Sequence, residues 1–422
     1  MDLSNNGGLV VSDELRRLLN QPGFISLQMN GQRSRALYCD GSLELDEMLL
    51  SDFGRACYYG ALDDVRVLFH LGQVPNLAGT ETAYKFGYAT LLVGGAQRVS
   101  VLPGTGLKLE HNEILKFLIS RGLDVDVPDI AGYTALFHTM ANKILRLDLA
   151  KTLLEAGANV DHQNRYGETA MNGAFQHNHP EAVDLLMEWK ADLSIPDADG
   201  LTSMEFFLNC GPQITATVRK WLKKMNGEGE APLTQKRCDY EECGVMDKPL
   251  KNCGRCKVAR YCSVECQRKH WKAHKPICQS FNPATTVTVR PRYKETGTIM
   301  PVQQLTRNAL GIPTPPLPAT HLRGAHIPKK IGEDGKGIII KVQVPWTGSR
   351  MAAGFGDLLI YTKKRDLVCL AQRSDDPMSY DRLCKVIKEK GPGGAKAYFA
   401  AELKSKDELV IKISEVLADQ PF

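Results

Sequence analysis

Seven of the chain's twelve cysteines fall within Arg237–Gln279, and no other feature limits so tightly what this chain can fold into. In order they read Cys238-x4-Cys243, Cys253-x2-Cys256, Cys262-x3-Cys266 and, with one histidine, His274-x3-Cys278. Eight soft or borderline ligands in four close pairs suffice for two tetrahedral Zn²⁺ sites, because two thiolates from one tight turn can reach the same metal. Isolated buried thiols would not gather as four pairs, and disulfides belong to exported chains, of which this sequence has no mark. Spacing alone leaves open whether the four pairs combine sequentially or interleave. With four protein ligands per ion, neither metal keeps a position for water or substrate, so both are read as structural. A segment of 43 residues with so few apolar side chains cannot hold a core. Its folding and its metal binding are expected to be one event.

The order of these spacings, together with Tyr261-Cys262, Cys266-Gln267, Trp271 and the ending His274-Lys275-x2-Cys278, resembles the MYND zinc finger. The resemblance covers about a tenth of the chain. It implies an interleaved ligand set: Cys238, Cys243, Cys262 and Cys266 on the first zinc, Cys253, Cys256, His274 and Cys278 on the second. It also implies a module that binds short proline-containing peptides of partner proteins and has no catalysis of its own. His270 departs from the acidic residue that many such fingers carry before the tryptophan. With Ser263 capping a helix to about Ala273, His270 and His274 share a face; His270 is expected as a solvated surface histidine, with a rival ligand as the alternative. The stretch 236–280 holds eleven Lys/Arg against five Asp/Glu, which invites a nucleic-acid reading. Seven thiolates with two Zn²⁺ carry a formal charge of −3 and offset half of that excess. Proteins, not nucleic acids, are the expected partners.

The rest of the chain supports a reducing, aqueous setting. The first thirty residues contain Asp13 and Glu14 and no apolar run of signal-peptide length, and no stretch approaches the length of a membrane span. Cys39, Cys57, Cys210, Cys369 and Cys384 are scattered singly and are expected as small core residues. Cytoplasm, nucleus or both are the expected locations.

Upstream of the cysteines lies an internal repeat. Gly132-Tyr-Thr-Ala-Leu136 aligns with Gly167-Glu-Thr-Ala-Met171 and Gly200-Leu-Thr-Ser-Met204, at steps of 35 and 33 residues. Apolar helices follow, at Leu149–Val160 and Val183–Leu193. A period near 33 with two helices and a turn resembles the ankyrin repeat. Thr134 and Thr169 are placed to cap first helices, and Ala158 and Ala191 are small enough for close stacking. Ser51–Gly72 and Gly87–Gly122 read as two more degenerate units, with an insertion near 96–109. Residues 198–229 read as a terminal cap closed by Trp221. Residues 1–45 read as a short helix capped by Ser12, with Leu15, Leu18 and Leu19 on one face, packing on the end of the stack. Such a stack offers a long concave surface for proteins. Its candidate contact residues are the turn positions Asn164, Arg165, Tyr166 and Asp199.

After Cys278 the stretch 281–335 holds eight prolines and reads as a linker, much of it extended or disordered. Within it, Pro313–Ala319 resembles the proline peptides that such fingers bind, so 312–319 is a candidate for docking on the chain's own finger. Beyond it, Ile338, Ile340, Val342 and Val344 alternate as a half-buried strand requires. Hairpins are expected around 363–366 and 405–407, with a helix through Tyr380, Leu383, Val386 and Ile387 ending at Gly391. The two glycine-rich spots, 332–337 and 391–394, lack the phosphate-cradling pattern and read as turns.

The expected architecture is multidomain: the segment 1–45, an all-α ankyrin solenoid over 46–229, a small two-zinc MYND-like finger over 236–280, a linker over 281–335 and a small α+β domain of about five strands over 336–422. A non-enzymatic adapter is the expected function, with a transcriptional co-regulator that recruits repressor complexes as the alternative. MYND fingers also occur inside SET-type lysine methyltransferases. The cofactor motif such an enzyme needs is missing, since the lone Asn-His pair, Asn178-His179, sits inside a repeat.

Overall fold

The computed structural model describes residues 6–419 except 101–107, 229–236, 244, 246–248, 294–303, 305–306, 309–315, 317–323, 329–330, 332–334 and 346–355. The chain divides into two compact units, residues 1–218 with 303–314, and 219–302 with 315–422.

In the first unit, helices come in antiparallel pairs: α3 (Asp52–Tyr59) with α4 (Leu62–His70), α5 (Tyr88–Arg98) with α6 (His111–Ile119), α7 (Ala135–Met140) with α8 (Leu147–Glu155), and α9 (Ala170–His177) with α10 (Pro180–Glu188). A short hairpin, β1 (Thr80–Glu81) and β2 (Phe86–Gly87), precedes the second pair. Leu149, Leu153, Val183 and Leu186 are fully buried between neighbouring pairs, as the periodicity requires. Thr169 makes a capping box with Asn172, and Thr202 makes one with Glu205. Thr134 holds the same position but makes no side-chain cap bond.

The turns between pairs are built from one repeated device. Asp129 Oδ1 accepts the backbone N–H of Ala131 (2.8 Å) and Tyr133 (3.0 Å). One repeat on, Asn164 Oδ1 accepts from Tyr166 (2.8 Å) and Glu168 (3.0 Å), and Asp197 Oδ1 accepts from Asp199 and Leu201 (both 2.9 Å). Each Asp or Asn thus folds the chain back on itself three residues before a glycine of positive φ. At Gly167 (φ +72°) a Cβ would meet the Ala198 backbone nitrogen at 2.7 Å, so glycine is needed for the turn and for the approach of the next repeat. Adjacent turns are laced together by Arg165 N–H to Ala131 O and Ala198 N–H to Tyr166 O, both 2.9 Å.

The N-terminal segment forms α1 (Asp13–Leu19), capped by Ser12 Oγ on Leu15 N–H, and α2 (Gly31–Ser42). It does not sit on the end of the stack. It runs across the turns of the middle repeats, where Ile25 N–H donates to Arg165 O at 2.8 Å. At the other end come α11 (Ser203–Phe206) and α12 (Pro212–Met225). The buried residues of α12 are Ile214, Thr215 and Val218, whereas Trp221 is half-buried with Lys224 Nζ 4.4 Å from its ring centre. Trp221 is thus not among the buried residues of α12. It lies past the division between units, and the earlier apolar residues of α12 are the ones buried. The insertion expected near 96–109 falls between α5 and α6, with 101–107 outside the described residues.

The second unit is organised by a six-stranded antiparallel sheet in the order β5-β10-β9-β6-β7-β8. The strands are β5 (Thr286–Val289), β6 (Lys336–Gln343), β7 (Leu358–Thr362), β8 (Val368–Ala371), β9 (Lys396–Ser405) and β10 (Glu408–Lys412). One face packs on a helix, Pro377–Lys390, through Tyr380, Leu383, Cys384 and Ile387 against Ile340, Val342 and Phe399. Gly391 ends that helix. The sixth strand comes from the stretch read as linker. Thr286–Val289 pairs with Leu409–Lys412, and Arg292 and His326 bridge to Leu370 and Val368 on the outermost strand. Most of 312–319 lies outside the described residues, and Pro316 is exposed. No helix among the described residues is long and apolar enough to cross a membrane.

Candidate metal centre and interaction surfaces

Ligand position starts with local structure. A two-residue hairpin, β3 (Lys251–Asn252) with β4 (Arg260–Tyr261), holds the turn carrying Cys253 and Cys256, and Cys253 N–H donates to Ala259 O at 2.6 Å. Helix α13 (Val264–His274) starts at Ser263, whose Oγ accepts from Cys266 N–H at 3.1 Å. It presents Cys266 from its first turn and His274 from its last.

The eight ligands gather in two sets: Cys238, Cys243, Cys262 and Cys266, and Cys253, Cys256, His274 and Cys278. Within each set all donor atoms lie within 4.8 Å of one another. This is the interleaved arrangement, which spacing had left open. Sulfur separations of 3.4 Å (Cys243–Cys262), 3.5 Å (Cys262–Cys266) and 3.6 Å (Cys266–Cys243) bracket a single point. Tetrahedral Zn–S bonds of about 2.3 Å place sulfurs roughly 3.8 Å apart, so the sets fit zinc with little adjustment. In the second set Cys256 Sγ lies 3.6 Å from His274 Nε2 and accepts N–H bonds from Val258 (3.5 Å) and Ala259 (3.4 Å). Burial raises the Cys256 pKa, and these two N–H bonds act against it in favour of the thiolate, which is the ligand form. In the first set, hydrogen bonds with Cys243 and Cys266 push the Cys262 thiol up to about 12, so capture of a cation must release protons. The donor chemistry and the two four-membered sets fit two structural zinc ions.

His270 is not in either set. Its Nδ1 lies 3.1 Å from the Tyr261 hydroxyl, and its ring stacks 6.0 Å from that of His274. It is a half-buried neighbour of the ligands, not a solvated surface residue.

The profile of the MYND finger matches residues 238–278, and that of ankyrin repeats, in three copies, matches 107–197. The chain carries a MYND zinc finger and ankyrin repeats. Among curated proteins it resembles human N-lysine methyltransferase SMYD2, 40% identical over 62 residues, which is 13% of this chain and 14% of that one. It is 48% identical over 48 residues to Tudor domain-containing protein 1 of Oryzias latipes, covering 11% of this chain and 4% of the relative. It is equally close over 48 residues to ubiquitin C-terminal hydrolase 15 of Oryza sativa subsp. japonica, covering 11% and 5%. The methyltransferase match lies in the finger alone, so a methyltransferase reading has no support here. The chain spans about a seventh or less of the length of these relatives.

The MYND finger is built into the second unit. Cys238, Cys253, Cys256, Tyr261 and Cys278 share one core with Tyr398, Ala400 and Leu417 on the face of the sheet opposite its helix. Lys412, wholly buried on β10, donates Nζ–H to the Cys256 carbonyl at 3.2 Å and pairs with Glu415 at 2.9 Å. A buried ammonium is tolerated only with such partners. The second ligand set is buried throughout, whereas Cys243, Cys262 and Cys266 of the first remain half-exposed.

On the ankyrin unit the structure reverses an expectation. Asn164 and Tyr166 are 2% and 0% exposed, so neither is a surface contact residue. The N-terminal segment covers them. Ser34 Oγ lies 2.9 Å from the Tyr166 hydroxyl, and Arg35 pairs with Glu168 at 3.2 Å while stacking 4.2 Å from the Tyr166 ring centre. Arg165 donates to the carbonyls of Leu19 (2.9 Å), Gln21 and Gly23 (2.5 Å), and Asp199 accepts from Leu27 N–H at 3.0 Å. Tyr38 donates its hydroxyl to Asp129. All four turn residues are therefore used within the chain. The sequence signal for this surface is the recurrence of Asp129, Asn164 and Asp197 with the repeat, each three residues before its glycine.

His177, at the end of α9, donates Nδ1–H to the Gly173 carbonyl at 3.2 Å, and burial lowers its pKa from the usual 6.5 to about 4. Between these values the unfolded chain takes a proton that the folded chain refuses, so stability falls as pH drops from about 6.5 and the loss is complete below about 4. The loss should amount to about 3 kcal/mol. Hydrogen exchange in α9 between pH 7 and 4 checks it, with His177→Gln expected to remove this part of the pH dependence.

Proposed function

We propose that this chain is a non-enzymatic adapter whose MYND finger holds two structural Zn²⁺ ions and receives a proline-containing segment of a partner protein. In this reading Cys238, Cys243, Cys262 and Cys266 ligate one ion, and Cys253, Cys256, His274 and Cys278 the other. The observation that carries it is the closure of both sets: four ligand side chains converge on each point, which leaves no coordination position for a water or a substrate. The metals would supply only fixed geometry and charge compensation. Both families matched by the chain are interaction modules, and the ankyrin unit is read as the seat of a second protein. Single buried thiols elsewhere suit a cytosolic or nuclear setting. Cys39 is the exception, being exposed.

Of the finger's large apolar side chains among the described residues, Val264 and Ile277 stand out as exposed, at 60% and 70%. They flank the two ends of α13, next to the ligands but outside the sheet-facing core, and are the natural support for an apolar, proline-containing peptide. Val264→Asp with Ile277→Asp should keep two zinc ions per chain while weakening capture of a proline-rich peptide by about tenfold or more. Isothermal titration beside metal analysis checks this. Unchanged affinity with full zinc content would sink the reading.

A further inference from the structure

Between α2 and the first helices of the ankyrin pairs lies a half-enclosed cavity of about 530 Å³. That volume suits a compact small molecule. Its floor is apolar and open: Tyr58, Phe137 and Ala141 line it, and a Cβ added at Gly94 would meet only the Tyr58 ring, at 3.8 Å. Thr90 Oγ1 is buried without a partner on a side chain that is 6% exposed, and Arg35 Nε is likewise buried and unpaired. Arg98, the last residue of α5, lines the cavity from its exposed rim, with no partner among the described residues. The carboxylate facing Arg35 is already committed. Glu168 accepts from Arg35, Asn164 and Gln176, each at 3.2 Å. Asp40, the other acid lining the space, is exposed on α2.

We propose that this cavity is a binding site for a small amphipathic anion, a flat apolar body carrying one carboxylate or sulfonate. The apolar body would lie over Gly94 and Ala141, and the anionic group would sit at the Arg98 end of α5. Of the two arginines lining the cavity, Arg35 is already paired with Glu168, which leaves Arg98 as the cation for the anion. The site is separate from the finger and needs no metal.

The full-length, zinc-loaded protein is titrated with anilinonaphthalene sulfonate and, in parallel, with N-phenylnaphthylamine, which has the same rings without the sulfonate. One saturable site with enhanced fluorescence is expected for the anionic dye. Gly94→Leu fills the space from the floor and Ala36→Phe from the exposed α2 side, and each should abolish that site. Arg98→Gln should weaken the anionic dye about tenfold and the neutral dye by less than about twofold. Helical circular dichroism and melting midpoints report whether each variant folds. If Gly94→Leu does not, Ala36→Phe carries the blocking test, because that position is exposed. Absence of a saturable site in the wild type overturns the proposal. So does a site that persists in a folded blocking variant, or an Arg98→Gln effect equal for both dyes.

Discussion

Cys256→Ser is expected to leave one zinc ion per chain and to loosen the sheet of the second unit as well as the finger. Structural zinc contributes apparent binding free energies of about 10–16 kcal/mol, comparable with the whole stability of a domain at about 5–15 kcal/mol. Serine matches cysteine in size but does not supply a thiolate, so the loss is one of ligation and not of volume. What makes this position special is its setting. Cys256, Cys253 and Cys278 share a core with Tyr398, Ala400 and Leu417, and the Cys256 carbonyl is one of two acceptors for the buried Lys412 ammonium. When the turn at Cys253–Cys256 opens, β9 and β10 lose the cover on one face and Lys412 loses a partner. Cys266→Ser should also reduce the zinc content to one, but Cys266 is half-exposed and only Cys238 of its set lies in that core, so its effect on the sheet should be smaller. Metal analysis counts the ions, and hydrogen exchange reads β9 and β10 separately. Cys256→Ser should raise their exchange by tenfold or more (about 1.4 kcal/mol per tenfold), with a smaller rise for Cys266→Ser. Equal protection of these strands in both variants would show that finger and sheet fold independently.

How far the sequence carries depends on the range of the interactions involved. Cysteine spacing is local, so the ligands and the metal were legible from it, while their interleaving came only through the resemblance to the MYND finger, because it depends on how β4 and α13 return toward Cys238. The repeats were legible from glycines at steps of 35 and 33, since each takes a positive φ, and at Gly132 and Gly167 the next repeat also approaches closely. The strand Thr286–Val289 was hidden by the prolines around it, and its partner strand lies some 120 residues on, beyond any local pattern. The path of the N-terminal segment was hidden for a related reason. Helix α2 is held by single polar side chains, Ser34, Arg35 and Tyr38, each meeting a residue at least 91 positions away. Nothing in the periodicity of α2 identifies those partners, so the turns they cover looked free.

Asp129→Ala should be the most damaging single change in the ankyrin unit, at about 3–5 kcal/mol. The carboxylate is wholly buried. It accepts from the backbone N–H groups of Ala131 and Tyr133, from His138 Nε2 at 3.1 Å and from the Tyr38 hydroxyl of α2. Alanine leaves four donors without their acceptor, three of them buried and His138 partly exposed, and one of them is the link to the N-terminal segment. Each buried, unsatisfied group costs about 1–3 kcal/mol, moderated by whatever relaxation lets water in. Asp197 performs the same turn two repeats later, but its bonds to Asp199 and Leu201 are exposed, so water replaces the lost acceptor. Asp197→Ala should therefore cost about 1 kcal/mol or less. Asp129→Asn is informative between the two. It keeps the Oδ1 acceptor for the turn, as Asn164 does naturally, and replaces the acceptor facing Tyr38 and His138 with a donor. Urea melts of the three variants should rank Asp129→Ala as least stable, then Asp129→Asn, then Asp197→Ala. Limited proteolysis should cut Asp129→Ala first between α1 and α2, because the segment has lost its Tyr38 anchor. If Asp129→Ala and Asp197→Ala cost the same, the turn itself sets the energy. The covering of the repeats by α2 would then add nothing to it.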